Sequence, residues 1–143
     1  MVEQRAQGAI CPFCEIAAGR APAFVLTETD DALAILDIAP VRRGHALILP
    51  RRHVEDLTST GAREAVAALA GPLTEVSALL VERLGASGLT CIQANGASAG
   101  QEIAHLHFHL VPRFTADERW TIWTRQPRDR CALEQVFRTL SGG

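Results

Sequence analysis

The sequence contains no lysine and no tyrosine, so its 14 cationic residues are all arginine. Abundant alanine accompanies this gap, and codon bias toward GC explains the pair better than function does. A formal net charge of −2 supplies no basic surface of the kind that bulk nucleic-acid binding requires. No apolar run approaches bilayer-spanning length, so no membrane segment is expected. Met1 to Ile10 carries charges and lacks an apolar h-region, which argues against a secretory signal and for a cytoplasmic location. In that compartment the 4 cysteines are expected as thiols or metal ligands rather than disulfides.

What is present suffices for one ordinary domain: 143 residues, 48% hydrophobic and 21% charged. Residues 1–9 read as a flexible tail and Cys11 to Ala18 as a short helix. Strands are expected over Phe24 to Glu28, Ala32 to Leu36, His45 to Leu49 and Leu89 to Gln93. Between the last two, Val66, Leu69, Leu73, Val76, Leu80 and Leu84 recur at helical spacing, with Gly71-Pro72 placed to kink or split the helix. Ala94 to Gln101 reads as a glycine-containing loop, Ile103 to Pro112 as a strand, and Ala132 to Leu140 as a terminal helix. Strands, one main helix, then further strands predict an α+β fold with an antiparallel sheet.

The concentrated chemistry lies in His105-Leu106-His107-Phe108-His109, which holds three of the 5 histidines at every second residue. Along a strand that spacing turns all three imidazoles to one face and Leu106, Phe108 and Leu110 to the other. A solvated strand face is the plainer reading, but such faces carry Thr, Lys, Glu or Ser more than repeated His. Neighbouring same-face positions lie roughly 6.5–7 Å apart, so the three rings divide labour around a group the size of a phosphate. His107, in the middle, is best placed as nucleophile. The preceding loop, Asn95 to Gln101, has glycines that let backbone N–H groups approach an anion. Cys11 and Cys14 form a Cys-x-x-Cys pair: half a zinc site, a redox dithiol or coincidence. The redox reading lacks a preceding strand, and zinc needs two further ligands.

These residues resemble the histidine triad (HIT) family of nucleotide-binding hydrolases and transferases. The likeness is carried by His105 to Val111, by Cys11-Pro12-Phe13-Cys14-Glu15-Ile16, and by Leu36-Asp37-Ile38. Gly44 to Pro50 with His53, and Ala99-Gly100-Gln101, follow in the family's order. It implies an antiparallel sheet of about five strands with one main helix and a short N-terminal helix, the domain spanning 10–115. Residues 116–143 would be an extension packed on the domain or on the second subunit of a homodimer. It further implies attack by His107 on the α-phosphorus of a nucleotide conjugate, with purine nucleotides favoured. Release of nucleoside monophosphate would follow through a nucleotidyl-histidine. Nucleoside phosphoramidates and dinucleoside polyphosphates are the competing substrate classes.

By the same resemblance His109 and the Gly100-Gln101 loop stabilise the phosphoryl group, and His45 holds the triad in its working tautomer. Asp37 would bind the ribose; Phe13, Ile16 and Ile38 would line the base pocket; Asn95 would make a polar contact. Some members bind structural zinc through residues matching Cys11, Cys14, His53 and His105. Two positions depart from the family pattern: Glu102 where a Ser or Thr commonly follows the Gln, and Ala94 where Asn or Asp is common. They keep alive an alternative, a nucleotide sensor or scaffold with little turnover. A hydrolase built on catalytic zinc fits less well, since it needs an open coordination position. Trp120, Trp123 and the run Arg125 to Arg130 follow the triad; a tryptophan could stack on a base, and Arg128 and Arg130 could attract polyphosphate. Cys91 is expected buried as a small hydrophobe, and Cys131 has no assigned role.

Overall fold

Ala32-Leu33-Ala34-Ile35-Leu36 is apolar at every position, the composition of a strand covered on both faces, and every one of its residues is buried. In the computed structural model, which describes residues 10–115 and 123–142, this segment is β2 and pairs with β1 (Val25–Glu28) and β3 (Ala46–Pro50). The sheet continues through β5 (Phe108–Arg113) to β4 (Gly88–Ile92), giving five strands in the order β1-β2-β3-β5-β4. All pairings are antiparallel.

Period-two alternation sends Ala34, Leu36, Ala46, Ile48 and Leu110 to one face, against Leu69, Val76 and Leu80. The same core takes Leu133, Val136 and Leu140 from α4 (Arg130–Ser141), whose N-cap Asp129 accepts a hydrogen bond from Ala132 N–H at 3.1 Å. Leu33, Ile35, Leu47 and Leu49 face the other way, where Cys11 and Phe13 of the α1 (Pro12–Ala17) segment cover them. Each large buried aliphatic in these layers is worth about 1.5–3 kcal/mol of burial.

Three expectations need correction. The main helix is divided into α2 (Ala62–Ala67) and α3 (Ala70–Glu82), and the break falls at Ala68-Leu69 rather than at Gly71-Pro72. A proline ring collides with the carbonyl four residues earlier, here Ala68, so Pro72 sits in the first turn of a new helix. Within Ala62–Glu82 an 18-residue window reaches a mean hydropathy of 1.5, which makes the segment long and apolar enough to cross a membrane by length and composition, contrary to the expectation of no such run. In this fold it is the helical layer on the sheet, with Leu69, Val76 and Leu80 in the core. Cys91 is exposed, not buried; it shares a face with its cross-strand partner Leu110, but on β4, at the edge of the sheet. Residues 1–9 and Trp120 lie outside the described residues.

Candidate active site

The histidine strand is shorter than its alternation suggests, beginning at Phe108 rather than Ile103. Pairing with β3 ends at Ile48↔Phe108, and Pro50 beyond it has no N–H to continue a ladder. The chain instead anchors itself through Leu106 N–H to Val54 O at 2.7 Å and His105 Nε2–H to Pro50 O at 2.8 Å. Alternation survives the loss of strand geometry. Leu106 is buried with Val54, Ala62 and Ala65, while the rings of His107 and His109 meet edge to face at 4.9 Å.

His45 reaches the same place from the start of β3, where Gly44 makes the turn at φ +92°. That conformation requires glycine, and a Cβ at Gly44 would in addition press on Leu84 Cδ2 and force that side chain to shift. His45 is fully buried, and its Nδ1 accepts from Val41 N–H at 3.0 Å. That bond leaves the ring proton on Nε2, which donates to His109 Nδ1 at 2.9 Å. His109 must then carry its own proton on Nε2. At His107 the order is opposite: Nδ1–H donates to the His105 carbonyl at 2.6 Å, and Nε2 keeps a bare lone pair. Backbone groups thus set every tautomer of the triad. The site holds one unprotonated nitrogen and, beside it, one N–H donor.

Burial keeps these rings neutral. It pushes His45 down to about 4 against the pull of the Asp37 carboxylate. His109 is driven down to about 3, first by burial and then by His107 and His45. His107 is lowered from the ordinary value by burial, partly offset by its bond to His105.

Both His107 and His109 line a cavity of about 570 Å³, together with Asp37, Gly100 and the apolar Phe13, Ile16 and Ile38. Phe13 stands edge-on to His107 at 5.0 Å. The size and the mixture, mostly apolar with a few convergent polar groups, suit a small-molecule ligand. Ala94 and Glu102 are at the same wall. The Glu102 side chain is 67% exposed and meets Arg125 at 3.4 Å, so its charge is directed to the rim.

Gln101 and Asn95 do not line the cavity. Gln101 Oε1 accepts from Gly96 N–H at 2.7 Å and Nε2 donates to Glu55 O at 2.7 Å, which braces the glycine loop. Asn95 Oδ1 accepts from Leu57 N–H at 2.8 Å, and its amide exchanges hydrogen bonds with Gln93. Arg128 is exposed, and Arg130 pairs with Glu134 on α4 at 2.9 Å. Trp123 does border the site, edge-on to His45 at 5.4 Å and His109 at 5.2 Å. Arg125 is the residue that sequence reasoning passed over. It bonds Asp37 Oδ2 at 2.9 Å, and no local pattern could have linked positions 88 residues apart.

On the far side of His105, the ligand atoms of Cys11, Cys14, His53 and His105 all lie within 4.8 Å of one another. Because His105 Nε2–H is committed to Pro50 O, its Nδ1 lone pair points at the two thiols, 3.4 Å from Cys11 Sγ and 3.5 Å from Cys14 Sγ. His53 Nδ1 is 3.2 Å from Cys14 Sγ. Two soft sulfurs and two imidazole nitrogens are the donor set of a closed tetrahedral zinc site, and a carbonyl fixing the outer nitrogen of a ligating histidine is its usual support. Among the described residues, His107 has no place in this cluster.

Residues 18–116 match the HIT domain family. An uncharacterised HIT-like protein of Methanocaldococcus jannaschii is 38% identical over 108 residues, covering 76% of this chain and 82% of its own. The adenylylsulfatase HINT3 of Arabidopsis thaliana is 36% identical over 124 residues, 87% of this chain but only 61% of that longer protein. Among solved structures, a zinc-bound histidine triad family protein from Mycobacterium smegmatis superposes with a TM-score of 0.80 at 37% identity, over 92% of this chain and 91% of that one.

Proposed function

Because the chain belongs to the HIT domain family, we propose that it cleaves nucleotide conjugates at the α-phosphate through a covalent intermediate on His107. The observation that carries this reading is the tautomer pattern: a bare Nε2 on His107 and a protonated Nε2 on His109, both bordering one cavity. The His107 Nε2 lone pair forms a bond to the α-phosphorus as the bond to the leaving group breaks and that group departs with the electron pair. The resulting imidazolium keeps its Nδ1 proton on the His105 carbonyl. Water then attacks the phosphorus and gives up a proton to solvent, the P–N bond breaks, and the pair returns to Nε2 as nucleoside monophosphate leaves. The His109 Nε2–H donates to the phosphoryl oxygens or to the leaving atom as negative charge builds there.

Asp37 at the cavity wall suits a ribose diol, and Phe13, Ile16 and Ile38 suit a purine face. Cys11, Cys14, His53 and His105 would hold zinc, which supplies a structural cross-link between the N-terminal segment and the triad. A reducing, cytoplasmic setting agrees with thiols in that role. We further propose a homodimer through β4, paired on one side only among the described residues, with an apolar α3 surface that leaves Val81 47% exposed. A monomer mass by light scattering at micromolar protein would refute the dimer.

The function is tested by following nucleoside monophosphate release from adenosine phosphoramidate, diadenosine polyphosphate and adenosine phosphosulfate, the last an adenylyl-sulfate bond of the kind the Arabidopsis relative's name denotes. Turnover of at least one is expected. Tight binding of monophosphate without turnover of any would favour the sensor reading. The acid limb of the rate profile should lie below pH 6.5, because burial lowers the His107 pKa and keeps Nε2 unprotonated into mildly acid solution. A limb at or above pH 6.5 would remove His107 as the group titrating.

A further inference from the structure

The ribose site is already engaged. Asp37 Oδ1 accepts from Ala39 N–H at 2.9 Å, and Oδ2 accepts from Arg125 Nη1 at 2.9 Å. A diol that binds this carboxylate has to compete with the guanidinium. Arg125 is itself incompletely satisfied. Its Nη1 also donates to Ala39 O at 2.7 Å, Nη2 reaches Glu102 Oε2 only at 3.4 Å, and Nε is buried without an acceptor. The backbone next to it is fixed, since Gln126 N–H donates to Pro40 O at 2.7 Å. Any rearrangement therefore belongs to the side chain, which borders the cavity of the reacting histidines.

We propose that Arg125 is a specificity-determining residue: it closes the empty ribose site on Asp37 and, when the diol displaces it, binds an anionic leaving group beyond the α-phosphate. The inference rests on the nucleotide reading above. A guanidinium stays charged throughout, and its planar fork bonds a sulfate, phosphate or carboxylate with two parallel N–H donors. Such an oxyanion would replace the contacts given up at Asp37 and the long contact to Glu102. Glu102 sharpens the selection. With Arg125 absent, its uncovered carboxylate repels an anionic leaving group and leaves a neutral amine unaffected.

The test compares the parent with Arg125→Ala and Arg125→Lys in two measurements. By calorimetry, adenosine should bind Arg125→Ala several-fold more tightly than the parent, because the carboxylate is released. In steady-state kinetics, kcat/KM for adenosine phosphosulfate should fall about 10- to 100-fold relative to that for adenosine phosphoramidate, the range of one charged hydrogen-bonded contact. Arg125→Lys should recover part of that ratio, since it keeps the charge without the fork. Adenosine affinity that is unchanged or weaker in Arg125→Ala overturns the closure, and an unchanged substrate ratio in both variants overturns the selection. A parent that turns over none of adenosine phosphosulfate, adenosine phosphoramidate and diadenosine polyphosphate overturns the underlying nucleotide reading instead, and the selection with it.

Discussion

Replacing His107 by alanine is expected to reduce nucleoside monophosphate release by at least about 10³-fold, the scale on which enzymes lose rate when their nucleophile is removed. Nothing else in the site can take its place. His109 is the nearest imidazole, but its Nδ1 lone pair is occupied by His45 at 2.9 Å and its Nε2 carries the proton. His105 is fully buried, with Nε2 committed to Pro50 and Nδ1 turned to the thiols. His109→Ala should cost less, about 10²-fold, because it removes a donor while leaving the attacking atom in position. Single-turnover kinetics on both variants separate these effects. Equal losses would mean that the two rings do not have the distinct roles their tautomers assign. His107→Ala should leave the fold intact, since it gives up one hydrogen bond to a main-chain carbonyl and the edge contacts with Phe13 and His109.

Cys11→Ser should abolish zinc binding, which metal analysis of the parent is expected to find at one ion per chain, and lower Tm by about 10 °C. Cys11 is buried, and with Cys14, His53 and His105 it ties α1 to the segment before β5. Losing a cross-link of about 3 kcal/mol, the size a disulfide supplies, shifts Tm by roughly that amount in a domain of this size. Activity should fall only as far as α1 loosens, because His105 would meet the metal through its ring whereas His107 leans on its carbonyl. A folded, zinc-free variant that still turns over substrate excludes catalytic zinc. Complete loss of activity in a variant with parental Tm would restore it.

Much of this was legible in the sequence because the signals are local. The continuous apolar runs Ala32 to Leu36 and His45 to Leu49 give the strands within a residue, and the spacing of Leu69, Val76 and Leu80 gives the core face of the helix. Residue identity at His105, His107 and His109 announces the chemistry. What stayed hidden depends on groups distant in the chain. The histidine strand starts late because Pro50, on another strand, cannot extend the ladder. Gln101 and Asn95 turn away from the cavity because Gly96, Glu55 and Leu57 take up their amides. The division of roles within the triad is set by the Val41 N–H and the His105 carbonyl, which no side-chain pattern records. Arg125 reads as one arginine in an arginine-rich stretch until the fold lays it on Asp37.

The central claim is a covalent bond between His107 Nε2 and the α-phosphorus. Rapid quenching of the parent with substrate under alkaline conditions, which preserve a phosphoramidate, followed by digestion and mass spectrometry, tests it directly. The account predicts a nucleotidyl group on His107 that forms before monophosphate appears, decays as it is released, and is missing from His107→Ala. An adduct on His109, or turnover with no adduct at any quench time, would contradict it.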